Sequence, residues 1–120
     1  MKDYYENKVA VVTGGASGIG LALCELLLSF GAQAVISADL NGDKLKTETA
    51  RLGDAYPGRV IGIKTDVTNE ESVVAMIGQA AEFGSGQIHF LFNNAGLGLA
   101  KAFDETTNTD WKFAFDVNFF

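Results

Sequence analysis

The chain has 120 residues, of which 48% are hydrophobic and 20% charged, and its formal net charge is -6. This composition is typical of one folded globular domain and excludes a disordered or fibrous chain. The acidic balance argues against nucleic acid or an anionic membrane as the main partner. The one cysteine, Cys24, excludes an internal disulfide and gives no metal-site spacing. Because the N-terminus is also too polar to predict a signal peptide, we expect a reducing cytoplasm.

Four short apolar runs are predicted to be strands, and longer stretches with helical spacing separate them. The strand runs are rich in Val, Ile and Phe, which is typical of buried strands. Their ranges, in chain order, are 8–13, 34–39, 59–66 and 88–92. The predicted helices are 18–31, 41–53, 68–84 and a last one from about Thr107.

The first three helices differ in how much apolar surface they offer. The first is apolar nearly all round, which predicts that it is deeply buried. The second has only Leu45 and Leu52 to bury, so we expect it to lie on the surface. The third begins with Thr68 and Glu71 at the spacing of a capping box, and it ends at Gly84, where a C-terminal cap belongs.

The alternation of strands and helices predicts an α/β fold. Strand–helix–strand connections are right-handed and give a parallel sheet that is covered on both faces. We therefore expect a Rossmann-type doubly wound parallel sheet of about four strands, in the order 3-2-1-4, with helices on both faces. The chain shows no interdomain linker, so residues 1–120 are expected to form one domain.

A glycine-rich loop, TGGASGIG, follows the first strand and opens the first helix. Gly14 allows a sharp turn off the strand, Gly18 leaves room for a pyrophosphate, and Gly20 allows close packing of the helix on the strand. The free N–H groups and the positive end of the helix then face the phosphates. The strand before the loop and the helix after it are the context that a dinucleotide-binding loop requires.

Asp39 ends the second strand, 19 residues beyond Gly20. A carboxylate at this position can accept both ribose hydroxyls of an adenosine, and it would repel a 2′-phosphate. Neither Ser17 nor Leu40 supplies a cation for such a phosphate. The sequence therefore favours NAD over NADP as the cofactor, and the alternative for Asp39 is a solvated turn residue.

The run NNAG, residues 93–96, follows the fourth strand. In a doubly wound sheet that strand lies beside the first, and ligands bind at this switch point, outside the carboxyl ends of the strands. Because buried amides need hydrogen-bond partners, we expect Asn93 and Asn94 to tie their loop to neighbouring backbone.

The motifs TGGASGIG, DV at 66–67, NNAG at 93–96 and DVN at 116–118 together resemble the short-chain dehydrogenase/reductase family, over the whole chain and in the same order. The resemblance implies that the loop glycines, with Ser17 and Ile19, hold the pyrophosphate. It also implies that Asp66 and the Val67 backbone hold the adenine. The residues that it places on the nicotinamide-ribose side are Asn93, Ala95 and Gly96.

In the same resemblance, Asn118 corresponds to the asparagine of the family's Asn-Ser-Tyr-Lys tetrad, where it fixes a water of the proton relay. The serine and the Tyr-x-x-x-Lys motif would lie beyond Phe120. We therefore expect a chain that is truncated at its C-terminus and has no turnover of its own. The complete enzyme would transfer hydride between NAD and a small alcohol or carbonyl substrate, and it is expected to be a homo-oligomer.

Two other interpretations stay open at this point. A non-catalytic NAD-binding module or partner subunit would bury the apolar end, Phe119 and Phe120, against another chain. A methyltransferase that uses S-adenosylmethionine would also require glycines after the first strand and an acidic residue after the second, but this interpretation does not explain NNAG.

Two features have catalytic residue types without the matching context. Tyr4 and Lys8 have the Tyr-x-x-x-Lys spacing, but they precede the first strand and should lie at the amino end of the sheet, away from the crevice. His89, the one histidine, lies on a predicted strand, where we expect a structural role.

Overall fold

A computed structural model describes residues 2–94 of the chain, with side chains from Tyr4 onward. The helix expected from about Thr107 lies outside these residues. The described elements are α1 (Lys2–Tyr5), β1 (Val9–Thr13), α2 (Gly18–Ser29), β2 (Ala34–Asp39), α3 (Gly42–Ala55), β3 (Val60–Lys64), α4 (Glu70–Phe83) and β4 (Phe90–Phe92). Only the single turn α1 was not predicted from the sequence.

The four described strands form one parallel sheet in the order β3-β2-β1-β4. The inner strands are β2 and β1, and in β1 Val11 lies opposite Ile36 on one side and Leu91 on the other. Both the parallel direction and the strand order agree with the prediction. Because every strand runs the same way, all four carboxyl ends lie at one edge of the sheet.

Two apolar clusters cover the two faces of the sheet. Val9 and Val11 face α4, in a cluster with Met76. Ala10 and Val12 face the opposite way, in a cluster with residues of α2 and α3. Burial on both sides explains why β1 is a continuous apolar run without alternation. Helices thus lie on both faces, as predicted.

Helix α2 is less buried than the sequence predicted. In the described part of the chain Cys24, Leu27 and Leu28 are buried. Ile19, in contrast, is 79% exposed and Leu26 is 50% exposed. A helix that packs on a flat sheet buries one stripe only, whatever the polarity of its other side.

Within residues 2–94 no helix is both long enough and apolar enough to span a bilayer. Helix α3 buries Leu45 and Leu52, as expected.

Helix α4 begins one residue later than the predicted capping box. Its N-cap is Asn69, whose side-chain oxygen accepts a hydrogen bond from the Ser72 N–H at 2.9 Å. The Thr68 hydroxyl instead donates to Asp66 Oδ1. The capping-box prediction with Thr68 is therefore wrong, because the aspartate two residues earlier engages that threonine in its own turn. Gly84 occupies the C-cap position, as predicted.

Candidate functional site

The glycine loop, residues 13–20, joins β1 to α2 through two left-handed positions. Gly14 has φ +66° and Gly18 has φ +55°, values that side-chain-bearing residues rarely adopt. A Cβ at Gly18 would meet no atom within 4 Å, so the space in front of it is open. A Cβ at Gly20 would lie 2.0 Å from the Gly14 oxygen and 2.7 Å from Asn94 Nδ2. Gly20 therefore lies close to the loop and to the end of β4. The sequence had predicted a close contact between the helix and the strand before it.

Beneath the loop lies a contact that the sequence did not suggest. A Cβ at Gly15 would lie 2.2 Å from Ser37 Oγ. Ser37 is buried in β2, and its hydroxyl has no hydrogen-bond partner of good geometry among the described residues. The one signal in the sequence was a polar residue inside the apolar run AVISAD. Gly15 therefore has a steric requirement of its own, in addition to those of Gly14, Gly18 and Gly20.

Cys24 lies in α2 next to the same serine. Burial raises the pKa of the Cys24 thiol to about 11, although the neighbouring Ser37 hydroxyl acts in the opposite direction. A thiol with so high a pKa is protonated and unreactive at neutral pH. The free, buried Cys24 therefore acts as a small hydrophobic residue of the core.

The asparagines after β4 hold the glycine loop from one side. The Asn94 side-chain amide donates to the Gly14 oxygen at 3.3 Å. The Thr13 hydroxyl lies 3.3 Å from the Phe92 oxygen and 3.5 Å from Asn93 Oδ1. The expectation that these amides tie their loop to neighbouring backbone is confirmed for Asn94, whereas the Asn93 amide meets the Thr13 side chain. Asn94 was not among the predicted site residues, although its contact with the loop is the more direct of the two.

Asp39 holds the glycine loop from the other side, at the carboxyl end of β2. Its Oδ2 accepts a hydrogen bond from the Ala16 N–H at 3.0 Å, and its Oδ1 accepts one from the Asn41 N–H at 3.0 Å. The carboxylate therefore lies beside the loop. The bond to Ala16 could not be read from the sequence, because the two residues are 23 positions apart.

Asp66 and Val67 follow β3 at the same edge of the sheet. Asp66 Oδ1 accepts hydrogen bonds from both the hydroxyl and the N–H of Thr68. These bonds hold the pKa of the Asp66 carboxyl below its usual value, with the hydroxyl bond the larger cause. The Asp66 N–H donates to the Ser72 hydroxyl at 2.9 Å. An ionised acceptor of fixed orientation thus stands one strand beyond Asp39.

The remaining predicted site residues divide into two groups. Ser17 is the N-cap of α2 and, like Ile19, is exposed at the mouth of the loop. The predicted residues that lie outside the described part of the chain are Ala95, Gly96 and Asn118. Across residues 2–94, the structure thus brings the loop, Asp39, Asp66 and Asn93 to one edge, with helix N–H donors at its centre and acceptors around them.

Tyr4, Lys8 and His89, which are catalytic residue types without the matching context, lie at the opposite edge of the sheet. Lys8 directly precedes β1, and Tyr4 belongs to the short helix α1 before it. His89 precedes β4 and is bonded to β1: its ring Nδ1 accepts from the Val9 N–H at 2.9 Å, and its backbone N–H donates to the Val9 oxygen at 2.9 Å. Burial, and secondarily the charge of Lys8, lower the pKa of His89. The histidine is a structural group that joins two strands.

Comparison with known proteins decides the family. The family model described as short chain dehydrogenase matches residues 8–120. The chain belongs to the short-chain dehydrogenase/reductase family. Its relatives include an uncharacterized oxidoreductase, YuxG, of Bacillus subtilis (strain 168), which is 39% identical over 94% of this chain. Two others are cis-4-hydroxycyclohexanecarboxylate dehydrogenase of Sinomonas cyclohexanicum, 42% identical over 85% of the chain, and L-2,3-butanediol dehydrogenase of Corynebacterium glutamicum, 34% identical over 95%.

Solved structures of family members have the same fold. A short-chain dehydrogenase/reductase from Burkholderia phymatum in complex with NAD matches 95% of this chain with a TM-score of 0.72 and 38% identity. L-sorbose reductase from Gluconobacter frateurii, complexed with NADPH and L-sorbose, matches 93% with a TM-score of 0.70 and 31% identity. The two neighbours thus carry different forms of a nicotinamide cofactor.

The chain spans less than half the length of the relatives it matches. It covers 16% of YuxG, 39% of the cyclohexanecarboxylate dehydrogenase and 44% of the butanediol dehydrogenase. It covers 40% of the Burkholderia phymatum structure. The region that these 120 residues share with the family begins at residue 8, so it includes β1 as well as the glycine loop.

Proposed function

We propose that residues 1–120 are the cofactor-binding domain of an NAD-dependent short-chain oxidoreductase. The observation that carries the proposal is the arrangement at the carboxyl edge of the sheet. The N-terminus of α2 opens onto an unobstructed space at Gly18, and Asp39 lies beside it. Helix N–H groups and the helix dipole suit a pyrophosphate, and a neighbouring carboxylate suits ribose hydroxyls.

The individual residues take the following proposed roles. The pyrophosphate contacts the loop at Gly14, Ser17, Gly18, Ile19 and Gly20. Asp39 accepts the adenosine ribose hydroxyls, and Asp66 with the Val67 backbone holds the adenine. The residues proposed to lie along the nicotinamide ribose are Asn93, Ala95 and Gly96. A nicotinamide cofactor held by these residues would supply the hydride chemistry, taking a hydride from an alcohol as NAD+ or giving one to a carbonyl compound as NADH.

The substrate is proposed to be a small alcohol or carbonyl compound, as the names of several relatives suggest for those proteins. We assign Asn118 to the proton relay, and the serine, tyrosine and lysine of the tetrad to residues beyond Phe120. On this proposal the 120-residue chain binds cofactor without turnover. A homo-oligomer in a reducing cytoplasm is the proposed working form.

Calorimetric titration with NADH and NADPH tests the proposed cofactor. We expect NADH to bind at least about tenfold more tightly, because the Asp39 carboxylate would repel a 2′-phosphate, and tenfold corresponds to about 1.4 kcal/mol. Equal or tighter binding of NADPH would refute the preference for NAD.

The non-catalytic module is the second proposal, and the gene decides between the two. A reading frame that continues past Phe120 with a serine and then Tyr-x-x-x-Lys supports the oxidoreductase. A stop codon at that point, together with NADH binding and a discrete oligomer in light scattering, supports a binding module or partner subunit.

A further inference from the structure

We infer that Asp39 anchors the glycine loop, in addition to its proposed contact with the adenosine ribose, and so forms the pyrophosphate site before any cofactor binds. The inference rests on the proposed function, because it concerns how the same site is prepared. Its basis is the hydrogen bond from the Ala16 N–H to Asp39 Oδ2 at 3.0 Å. The second oxygen, Oδ1, is held by the Asn41 N–H at 3.0 Å, which fixes the carboxylate in this orientation.

The anchoring bond does not prevent the proposed bond to the ribose. A carboxylate has two oxygens and about four acceptor sites. Each oxygen of Asp39 has one backbone N–H as its partner, which leaves one further site on each for a ribose hydroxyl. Hydrogen bonds to an ionised carboxylate are also roughly twice as strong as those between neutral groups, so the bond to Ala16 is a substantial restraint on the loop.

The end of β2 restrains two successive amides of the loop. The Gly15 N–H donates to the Ala38 oxygen at 3.3 Å, and the next amide, that of Ala16, donates to Asp39. From the side of β4, Asn94 donates to the Gly14 oxygen at 3.3 Å. The loop is thus held at three consecutive residues by the ends of its two neighbouring strands.

The amides that follow are left for a ligand. No partner for the Ser17 N–H is found within residues 2–94. The N–H groups of the first turn of α2, from Gly18 onward, have no intrahelical acceptor, as in any α-helix. The boundary between the restrained and the available amides therefore lies between Ala16 and Ser17, directly after the bond to Asp39.

Loss of the anchor should weaken phosphate binding even when no ribose hydroxyl is present. Without Asp39, the Ala16 N–H is released in a loop that already contains two left-handed glycines. The loop then gains conformational freedom, and binding must restore its order at a cost in affinity. If Asp39 contacts only the ribose, a ligand without the hydroxyls should lose nothing when the carboxylate is removed, and the loss of a negative charge should favour an anionic ligand.

The test compares ADP with 2′,3′-dideoxy-ADP, on the protein with as much of its chain as the gene encodes. For Asp39→Ala we expect the Kd of the dideoxy ligand to rise roughly three- to tenfold, the range that one lost hydrogen bond represents. An unchanged or lower Kd for that ligand would overturn the anchor and leave the ribose contact intact. If the wild type binds neither ligand, the proposed function fails, and amide exchange decides the anchor alone.

Amide hydrogen exchange of the unliganded wild type provides that second readout. The Ala16 amide should exchange more slowly than the Ser17 amide, and Asp39→Ala should remove the difference. Asp66→Ala is the matched control, because it removes a carboxylate from the next strand end whose side-chain bonds go to Thr68 and not to the loop. Equal exchange of the Ala16 and Ser17 amides in the wild type would overturn the inference, even if Asp39→Ala fails to fold.

Discussion

At the scale of single residues, Gly20 has a requirement that the glycines inside the later helices do not share. A Cβ at Gly20 would lie 2.0 Å from the Gly14 oxygen, whereas a Cβ at Gly53 would meet nothing within 4 Å. We expect Gly20→Ala to lower the free energy of unfolding by about 1–3 kcal/mol, because backbone must move to admit the methyl group. Gly53→Ala should raise it by roughly 0.5–1 kcal/mol through the better helix propensity of alanine.

Denaturant unfolding of the two variants measures both effects. The pair is matched, since each change adds one methyl group to a helix. A Gly20→Ala variant as stable as the wild type would show that Gly20 is not in close contact with Gly14 and Asn94.

His89 predicts a pH dependence of stability. Its Nδ1 accepts the Val9 N–H, so the folded state favours the neutral ring, and burial lowers the pKa of His89 below its ordinary value of about 6.5. The unfolded chain therefore binds the proton more readily. The stability that this group contributes is present above about pH 6.5 and is lost as the pH falls from there toward the lower pKa of the folded state.

We expect the free energy of unfolding to decrease between pH 7.5 and pH 5.5, measured by urea denaturation. His89→Asn keeps an acceptor near the position of Nδ1 but cannot titrate, so it should flatten this dependence. Asp66 does not interfere, because its depressed pKa affects stability only near and below the ordinary aspartate value of about 3.9. An unchanged pH dependence in His89→Asn would contradict the assignment.

At the scale of elements, the end of α2 depends on a residue of a distant segment. Helix α2 has no basic residue in its last turn. Arg59, just before β3, supplies one: its guanidinium donates to the Leu28 oxygen at 2.8 Å and to the Ala32 oxygen at 2.7 and 2.9 Å. It also lies over the Tyr56 ring, with Cζ 5.2 Å from the centroid.

Arg59→Ala should therefore lower the free energy of unfolding by about 2 kcal/mol, since hydrogen bonds from a charged donor are lost and buried carbonyls lose a partner. Arg51→Ala is the control. Arg51 of α3 forms one surface ion pair with Glu25 of α2 and another with Glu48 of its own helix, and pairs at the surface contribute about 0–1 kcal/mol. Thermal unfolding of both variants gives the comparison, and an equal effect would contradict the capping role of Arg59.

The elements themselves could be predicted, because their signals are local. β1 and β2 are runs of small and β-branched residues, and α4 has one apolar face ending at Gly84. The cap of α4 was displaced by one residue, since Asp66 competes for Thr68. The role of Arg59 could not be predicted, because its acceptors are 27 and 31 residues away and nothing in the local sequence marks them.

At the scale of the whole molecule, the fold followed from the sequence with little ambiguity. Alternating strands and helices restrict the topology to few arrangements, and the observed order β3-β2-β1-β4 is the one expected. The parallel direction of the strands brings the glycine loop, Asp39, Asp66 and Asn93 to one edge. The sequence did not predict the individual contacts of the loop. The close approach of Gly15 to Ser37 and the hydrogen bond from Ala16 to Asp39 both depend on how side chains of β2 are placed beside the loop.

The most direct test of the central proposal is a titration of the isotopically labelled protein with NADH, followed amide by amide in NMR spectra. We expect saturable shifts at residues 14–20 and at the residues after β2 and β3, because all of these lie at the carboxyl edge of the sheet. The amides of Lys8, Val9 and His89, at the opposite edge, should stay unchanged. Saturating NADH with no shift in the glycine loop, or shifts confined to the opposite edge, would contradict the cofactor site.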